Sequence, residues 1–461
     1  MMNQNMHSKR KDRLSRLTKA IGGVALAAMA VGGLLSPLSP AEAGDIAGAM
    51  DFKTCTELAL GQSPYFTSSA IEIGIRQIDV SDSWWSFVPT VTLKTKYAFF
   101  RPKGVTKAQK ERLKDRRDYS ISFASGTWNP IKSFFSLKAK ELVKEIAILA
   151  HLQVIDKGVH KLAEKLLELD MLNRLAVGQD KVVALNRQHL TYVQKLHSTG
   201  AATLLQVQTA AQRLAVVQAE VEKLSATKSA LLEGLKFSLG LKPIQRLDLN
   251  LKETRHQILG PFDPKNATLE QARSHSFLLK IQKQKEELQD WQIILAYAKY
   301  FPTINFGWRT SDLAQENVEG QQDFFAFVGA DLPLWDGFSR YRNISRQKEK
   351  MRQSVNQTKV KDADFRRTWR AAQKELQEAE INMNLARISE KLARLEERQS
   401  EIRYKSDNLS LPKLLESRNK HLKAQTSTLS KTQEYEAAVL KIRHLSGDLF
   451  QTYVNVEPWK E

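Results

Sequence analysis

Ile381-Asn-Met-Asn-Leu385-Ala-Arg-Ile388-Ser-Glu-Lys-Leu392-Ala-Arg-Leu395 lies inside a run from Phe338 to Lys405 that holds neither glycine nor proline. Ile381, Leu385, Ile388, Leu392, Leu395 and Ile402 recur in steps of four and three, with one step skipped, so they form one apolar seam on a helix. A helix of about 65 residues is about 100 Å long, far beyond the usual three turns of a globular helix. Such a rod cannot bury its stripe in a compact domain and must pack lengthwise on other helices. Ile155, Val159, Leu162, Leu166 and Leu169 repeat the pattern in the first half of the chain.

The two halves align throughout. Ala59-Leu-Gly-Gln-Ser-Pro-Tyr-Phe66 matches Ala272-Arg-Ser-His-Ser-Phe-Leu-Leu279, and Phe87-Val-Pro-Thr90 matches Tyr300-Phe-Pro-Thr303, both at an offset of 213. Trp128-Asn129 matches Trp335-Asp336, and Ser198-Thr-Gly200 matches Lys405-Ser-Asp407, both at 207. One six-residue change of length reconciles the two offsets. The chain is therefore an internal duplication, with a proline-marked linker over 242–267.

Each half opens with a shorter helix, carrying Ile71, Ile75, Ile78 and Trp85 in one repeat and Leu288, Trp291, Leu295 and Ala298 in the other. Two strands follow. Val91, Leu93, Tyr97 and Phe99 share one face against Thr92, Lys94 and Lys96; Tyr119, Ile121 and Phe123 alternate with Ser120, Ser122 and Ala124. Ile304, Phe306 and Trp308 alternate with Thr303, Asn305 and Arg309, whereas Phe324 to Leu332 carries Phe325 and Phe327 on its polar face. Period-two alternation divides an apolar medium from water, and strands of about ten residues with aromatic ends suit a tilted membrane strand. The intervening loops, Arg101–Arg117 and Thr310–Gln322, are polar.

Each long helix ends in a turn. Ser198-Thr199-Gly200 puts a glycine where a left-handed closing residue is needed, and Thr203-Leu-Leu-Gln206 reads as a capping box for the returning helix. In the second half Ser406-Asp407-Asn408 replaces the glycine turn, Ser410 is the matching cap, and Pro412 falls in the first helical turn. The returning helices run to about Leu239 and Ser446.

Six Lys/Arg residues between Lys9 and Lys19 precede an apolar, glycine-rich stretch over Ala20–Leu35, and Ala41-Glu42-Ala43 supplies an A-x-A cleavage site. This is the form of a secretory signal, which places the mature start at Gly44. The stretch is short for a membrane-spanning helix, which needs roughly 20 residues. Losing the segment lowers the formal charge from +19 to +15. Basic charge can attract nucleic acid, anionic membrane or acidic cargo. The basic residues lack aromatic interleaving and no nucleic-acid motif is present, so nucleic acid is not an expected partner. Cys55, the only cysteine, excludes an internal disulfide and follows no lipoprotein-type box. Nine scattered His residues show no ligand spacing, and neither a phosphate-binding loop nor a dinucleotide fingerprint occurs, so the reading is a non-enzyme without cofactor or metal.

The signal segment, the duplicated helix–strand–strand–helix–helix halves, the Pro-Thr strand entries, Leu332-Pro-Leu-Trp-Asp-Gly337 and the Leu411–Arg418 segment together resemble the TolC-like outer-membrane efflux family over residues 52–450. The resemblance implies a mostly helical α+β chain that trimerises into a twelve-stranded outer-membrane β-barrel, four strands per chain, continued by a periplasmic α-helical barrel. It divides the chain into a signal peptide (1–43), a first repeat (44–241), an equatorial linker (242–267), a second repeat (268–450) and a tail (451–461). It further implies a passive exit duct for efflux or type I secretion. The implied partners are a periplasmic membrane-fusion adaptor, an inner-membrane pump of the RND or ABC type, and outer-membrane lipid. Four strands cannot close around a water-filled lumen, and open sheet edges are not tolerated in lipid, so oligomerisation is required on physical grounds too.

By resemblance, Ser198, Thr199, Gly200, Thr203, Ser406, Asp407, Asn408 and Ser410 are adaptor-docking tips. Tyr404 is similar to a gate tyrosine, and Lys413 and Glu416 fall where some members carry two acids around the entrance. Lys413 departs from that pattern and weakens a cation-attracting field. A periplasmic coiled-coil or adaptor protein without a pore is the alternative reading, although adaptors carry one hairpin rather than two. Cargo is not legible in the sequence.

Overall fold

The computed structural model describes residues 49–97, 119–125, 128–260, 262–311, 323–332, 334–406 and 408–454, by backbone alone at 94–97, 119–124, 309–311 and 323–325. The signal segment, the loop 101–117, most of the loop 310–322, Asp407 and the last seven residues lie outside the described residues.

The elements follow in the order α1 (Phe52–Gln62), α2 (Pro64–Trp85), β1 (Val91–Tyr97), β2 (Tyr119–Ser125), α3 (Pro130–Ser198), α4 (Leu204–Leu239), α5 (Leu251–Leu259), α6 (Leu269–His275), α7 (Phe277–Ala298), β3 (Thr303–Ser311), β4 (Asp323–Asp331), α8 (Ser339–Lys405), α9 (Leu411–Leu445) and α10 (Asp448–Tyr453). The repeat offsets reappear in the elements. α2 and α7 both start and end 213 residues apart, and α3 and α8 end 207 apart. The rods α3 and α8 hold 69 and 67 residues, each about 100 Å at 1.5 Å per residue.

The four strands form one antiparallel sheet in the order β1-β2-β3-β4, so β2 and β3 join the repeats while β1 and β4 keep open edges. The register pairs Leu93 with Phe123, Phe123 with Trp308 and Trp308 with Ala326, and it pairs Phe306 with Val328. Directly opposed residues share a face, so the apolar sets found strand by strand merge into one continuous apolar face. Lys94, Ser122 and Arg309 pair across the other. Phe325 and Phe327 do fall on that second face, opposite Arg309 and Gly307.

The helices pack in rows. Near the sheet the row is α2, α3, α7, α8; toward the far turns it is α4, α3, α9, α8. α3 is therefore interior and α8 stands at an edge in both. Its position explains why Ile155, Val159, Leu162, Leu166 and Leu169 are all at most 3% exposed. They join Phe52, Leu235, Leu239, Ile258, Leu440 and Leu449 in the main core. Gly158 lets α2 come close, because a Cβ there would stand 2.4 Å from the Phe66 ring. Ser69 Oγ on α2 lies 2.6 Å from His151 Nδ1 on α3, and burial makes that imidazole less basic than usual.

At mid-height, short elements wrap the rods. Residues 242–267 are not featureless: Asn250 caps α5 through Glu253 N–H, and Met50 bridges Leu249 in parallel. Arg443, 3% exposed, ties α9 to this belt by donating to the carbonyls of Gln257 (2.9 Å) and Ile258 (2.6 Å) and to Asp448 (2.6 Å). Cys55 is a buried core residue whose thiol is pushed up to about 12 by burial, so it stays protonated and inert. No described helix is long and apolar enough to cross a membrane.

Candidate functional site

The end of the molecule remote from the sheet carries two helical turns. In the first, Gly200 is left-handed (φ +75°), with open space where a Cβ would stand. Ala201 N–H donates to Leu196 O at 2.8 Å and Gly200 N–H to His197 O at 3.0 Å, satisfying carbonyls the helix leaves unpaired. Lys195 and His197 sit in the last turn, where positive charge complements the helix dipole. Thr203 forms the capping box reciprocally: Gln206 N–H donates to its Oγ1 (3.3 Å) and Thr203 N–H to Gln206 Oε1 (2.8 Å). Ser198, Thr199, Gly200 and Thr203 are all exposed.

The second turn reaches the same end by other means. Asn408 N–H donates to Arg403 O at 2.9 Å, the counterpart of the Ala201 bond, and Ser406 Oγ donates to Ile402 O at 3.1 Å. Ser410 departs from its expectation. It occupies the cap position, but its hydroxyl makes no capping bond. Pro412 has no N–H to offer, and Lys413 N–H donates to the Ser410 carbonyl at 3.1 Å, as Gln206 N–H does to the Thr203 carbonyl. Asp407 lies outside the described residues.

Of the three residues expected at an entrance, Tyr404 stands in the last turn of α8, 38% exposed. Lys413 and Glu416 are exposed one turn apart on α9, either side of the buried pair Leu414 and Leu415. The fold brings all three to one hairpin end. Only Glu416 lines the groove between the two hairpins, a space of 1210 Å³ between α4 and α9 whose walls include Gln212, Arg213, Glu220, Lys420 and Lys423.

Sequence reasoning missed the polar clamps that hold this hairpin closed. Glu397 meets Arg418 (3.5 Å) and His421, and Lys420 meets Glu396 at 2.5 Å. Lys405 hydrogen-bonds Glu401 and lowers the pKa of its carboxyl. Partners 21 to 24 residues apart on antiparallel helices have no local spacing signature, so a hairpin register was needed to find them. No group of three or more His, Cys, Asp or Glu able to hold a metal occurs among the described residues.

The chain matches no family model and no curated protein sequence. Its structure does match solved channels. The Campylobacter jejuni CmeC outer membrane channel superposes with a TM-score of 0.70 at 14% identity, covering 88% of each chain. The outer membrane protein VceC of Vibrio cholerae gives 0.67 at 13% identity over 86% of this chain and 96% of its own. The open state of the Neisseria gonorrhoeae MtrE outer membrane channel gives 0.64 at 10% over 86% and 88%. These likenesses each extend over most of both chains, and the chain has the TolC-like outer-membrane channel fold.

Proposed function

We propose that three copies of this chain assemble into a passive exit duct of the outer membrane. The observation that carries this reading is the match between edges. The sheet ends in β1 and β4 without partners, and the helical rows end in α2 or α4 on one side and α8 on the other. The sheet edges offer unpaired backbone groups, and the outer helices α2 and α8 offer exposed apolar side chains. Ile71, Ile75 and Ile78 on α2, and the whole Ile381–Ile402 seam on α8, are between 47% and 63% exposed or, at Leu395, 65%. Unlike edges on opposite sides of one chain meet head to tail, and such contacts close into a ring when the rotation permits. Three copies then join β4 to the next β1 and remove every sheet edge, as lipid demands.

In that ring the continuous apolar face of the sheet meets lipid and the Lys94–Ser122–Arg309 face meets the lumen. Trp84, Trp85, Tyr300, Phe301, Trp335 and Phe338 are exposed where sheet and helices join, the level at which aromatic residues sit in a membrane interface. The rods form the periplasmic tunnel. A periplasmic adaptor docks its helical hairpin at the tip turns and in the polar groove between α4 and α9, and an inner-membrane RND or ABC pump supplies the energy. Tyr404, Lys413 and Glu416 form the entrance. Three copies of Lys413 facing three of Glu416 weaken cation attraction, so the pore is less cation-selective than one ringed by acids alone.

Fractionation with heat-modifiable electrophoresis tests the assembly: an outer-membrane oligomer that collapses to one chain on boiling is the expected result, and a water-soluble monomer refutes it. Planar-bilayer conductance tests the entrance. Weak cation preference is expected, and strong preference refutes the role given to Lys413.

A further inference from the structure

A crevice of 460 Å³ opens within one chain between α3, the start of α7, α8 and the α9–α10 corner. Its floor is apolar, formed by Leu152, Phe277, Phe365, Leu445 and Phe450, of which Leu152, Phe365 and Phe450 are at most 8% exposed. Its mouth is basic. Lys157, Lys280 and Lys361 come from three different helices, line the same opening and are exposed. Among the described residues none of the three has an ion-pair partner, although Lys280 Nζ lies 5.4 Å over the Phe277 ring.

Of the two carboxylates on the wall, Asp364 accepts from Arg367 at 2.9 Å, outside the crevice, and Asp156 Oδ1 lies 3.2 Å from His444 Nδ1, which lines the same crevice, so the three ammonium groups outnumber the carboxylates around it. His275 is taken by Gln451 at 2.8 Å. The volume lies within the usual range for small-molecule sites, about 300–1,000 Å³. An apolar slot under three uncommitted ammonium groups is complementary to one kind of ligand at both ends.

We infer that this crevice binds a single-chain anionic amphiphile, with the hydrocarbon chain on the Leu152–Phe365–Phe450 floor and the carboxylate among Lys157, Lys280 and Lys361. A neutral or cationic head loses the attraction of the mouth, and a chain too short to cover the floor leaves apolar surface wet. The crevice is built by one chain, so the inference stands independently of assembly and of a pore.

The test uses the full chain in a non-ionic amphipol and a fluorescent dansylamino-undecanoic acid, with amphipol alone as reference. Saturable enhancement is expected, with displacement by dodecanoate. Decanoate should displace about sixteenfold more weakly, since about 0.8 kcal/mol per buried methylene is roughly fourfold. Dodecyltrimethylammonium should displace at least tenfold more weakly than dodecanoate. Combining Lys157→Glu, Lys280→Glu and Lys361→Glu should weaken binding at least tenfold, and Thr368→Trp, which fills the crevice from an exposed wall position, should abolish it. Absence of saturable signal, or equal displacement by the anionic and cationic amphiphiles on the unaltered chain, overturns the inference whatever the variants do. A folded triple variant within twofold of the parent overturns it as well.

Discussion

The two repeats spend the same pattern in opposite ways. In the first, the short helix α2 leaves Ile71, Ile75 and Ile78 bare while the long helix α3 buries its seam; in the second, Ala296 and Ala298 of the short helix α7 are covered while the long helix α8 leaves its seam bare. Sequence pattern alone treats the equivalent helices as the same. Position in the row separates them: α3 and α7 are flanked on both sides, α2 and α8 on one. A duplicated unit set side by side has two inner and two outer members, and only the outer ones retain surface for another copy.

The sharpest way to break this comparison is to cut each long seam in turn. Leu166 on α3 is 1% exposed, so Leu166→Ala leaves a cavity and should cost about 2–5 kcal/mol. Chemical denaturation of the isolated chain should register the loss whether or not copies associate. Leu392 and Ile388 on α8 are 58% and 62% exposed. Ile388→Lys with Leu392→Lys should leave the stability of the isolated chain within about 1 kcal/mol yet abolish the heat-modifiable oligomer. A double variant that still assembles would remove α8 from the proposed interface.

The same contrast shows where the sequence was legible. Strand alternation, the glycine- and proline-free runs and the turn residues marked the strands, the ends of the long rods and the returning helices, because helix and strand periods are local properties, whereas the short helices α1, α5, α6 and α10 were not read. The partner of each face was not legible. α8 packs inside the chain through Phe365, Trp369, Ala372, Ala379, Met383 and Ala393, a second seam with the same heptad steps, but one whose mixture of small and bulky residues does not stand out as the leucine and isoleucine seam does. The conspicuous leucine and isoleucine seam is the one that stays exposed. The tip turns were readable from Gly200 and from Thr203 with Gln206, but the groove between hairpins and the Glu397–Arg418–His421 clamp depend on register across chain segments. The docking and gating roles proposed for the tip residues come from the resemblance, because no local spacing encodes them.

A smaller effect sharpens the account of the inner rod. His160 on α3 lies 3.1 Å from Glu164, and that hydrogen bond, the largest influence on the carboxyl, holds its pKa below the ordinary 4.5. A depressed carboxylate stabilises the fold above its unfolded pKa, and the contribution is lost as pH falls through the depressed folded value. Glu164→Gln should therefore lower stability at pH 7, by less than about 1 kcal/mol because the group is half exposed. The difference from the parent should shrink toward zero as denaturation is repeated below pH 4. A difference that grows on acidification would refute the assignment.

The tips provide the finest test of how the repeats differ. Thr203 satisfies Gln206 N–H with its hydroxyl, so Thr203→Ala should cost about 1 kcal/mol. Ser410 holds the equivalent place without a capping bond, and Pro412 removes one donor from its turn; the backbone bond to the cap carbonyl is common to both tips, Lys413 to Ser410 and Gln206 to Thr203, each at 3.1 Å. Ser410→Ala should fall within about 0.5 kcal/mol of the parent, as for a surface change that breaks nothing. Measured by amide exchange at the first turns of α4 and α9, only the Thr203 change should raise local opening. Equal effects at both tips would mean that the second repeat caps its returning helix as the first does, and that its proline turn is not a separate solution to the same end.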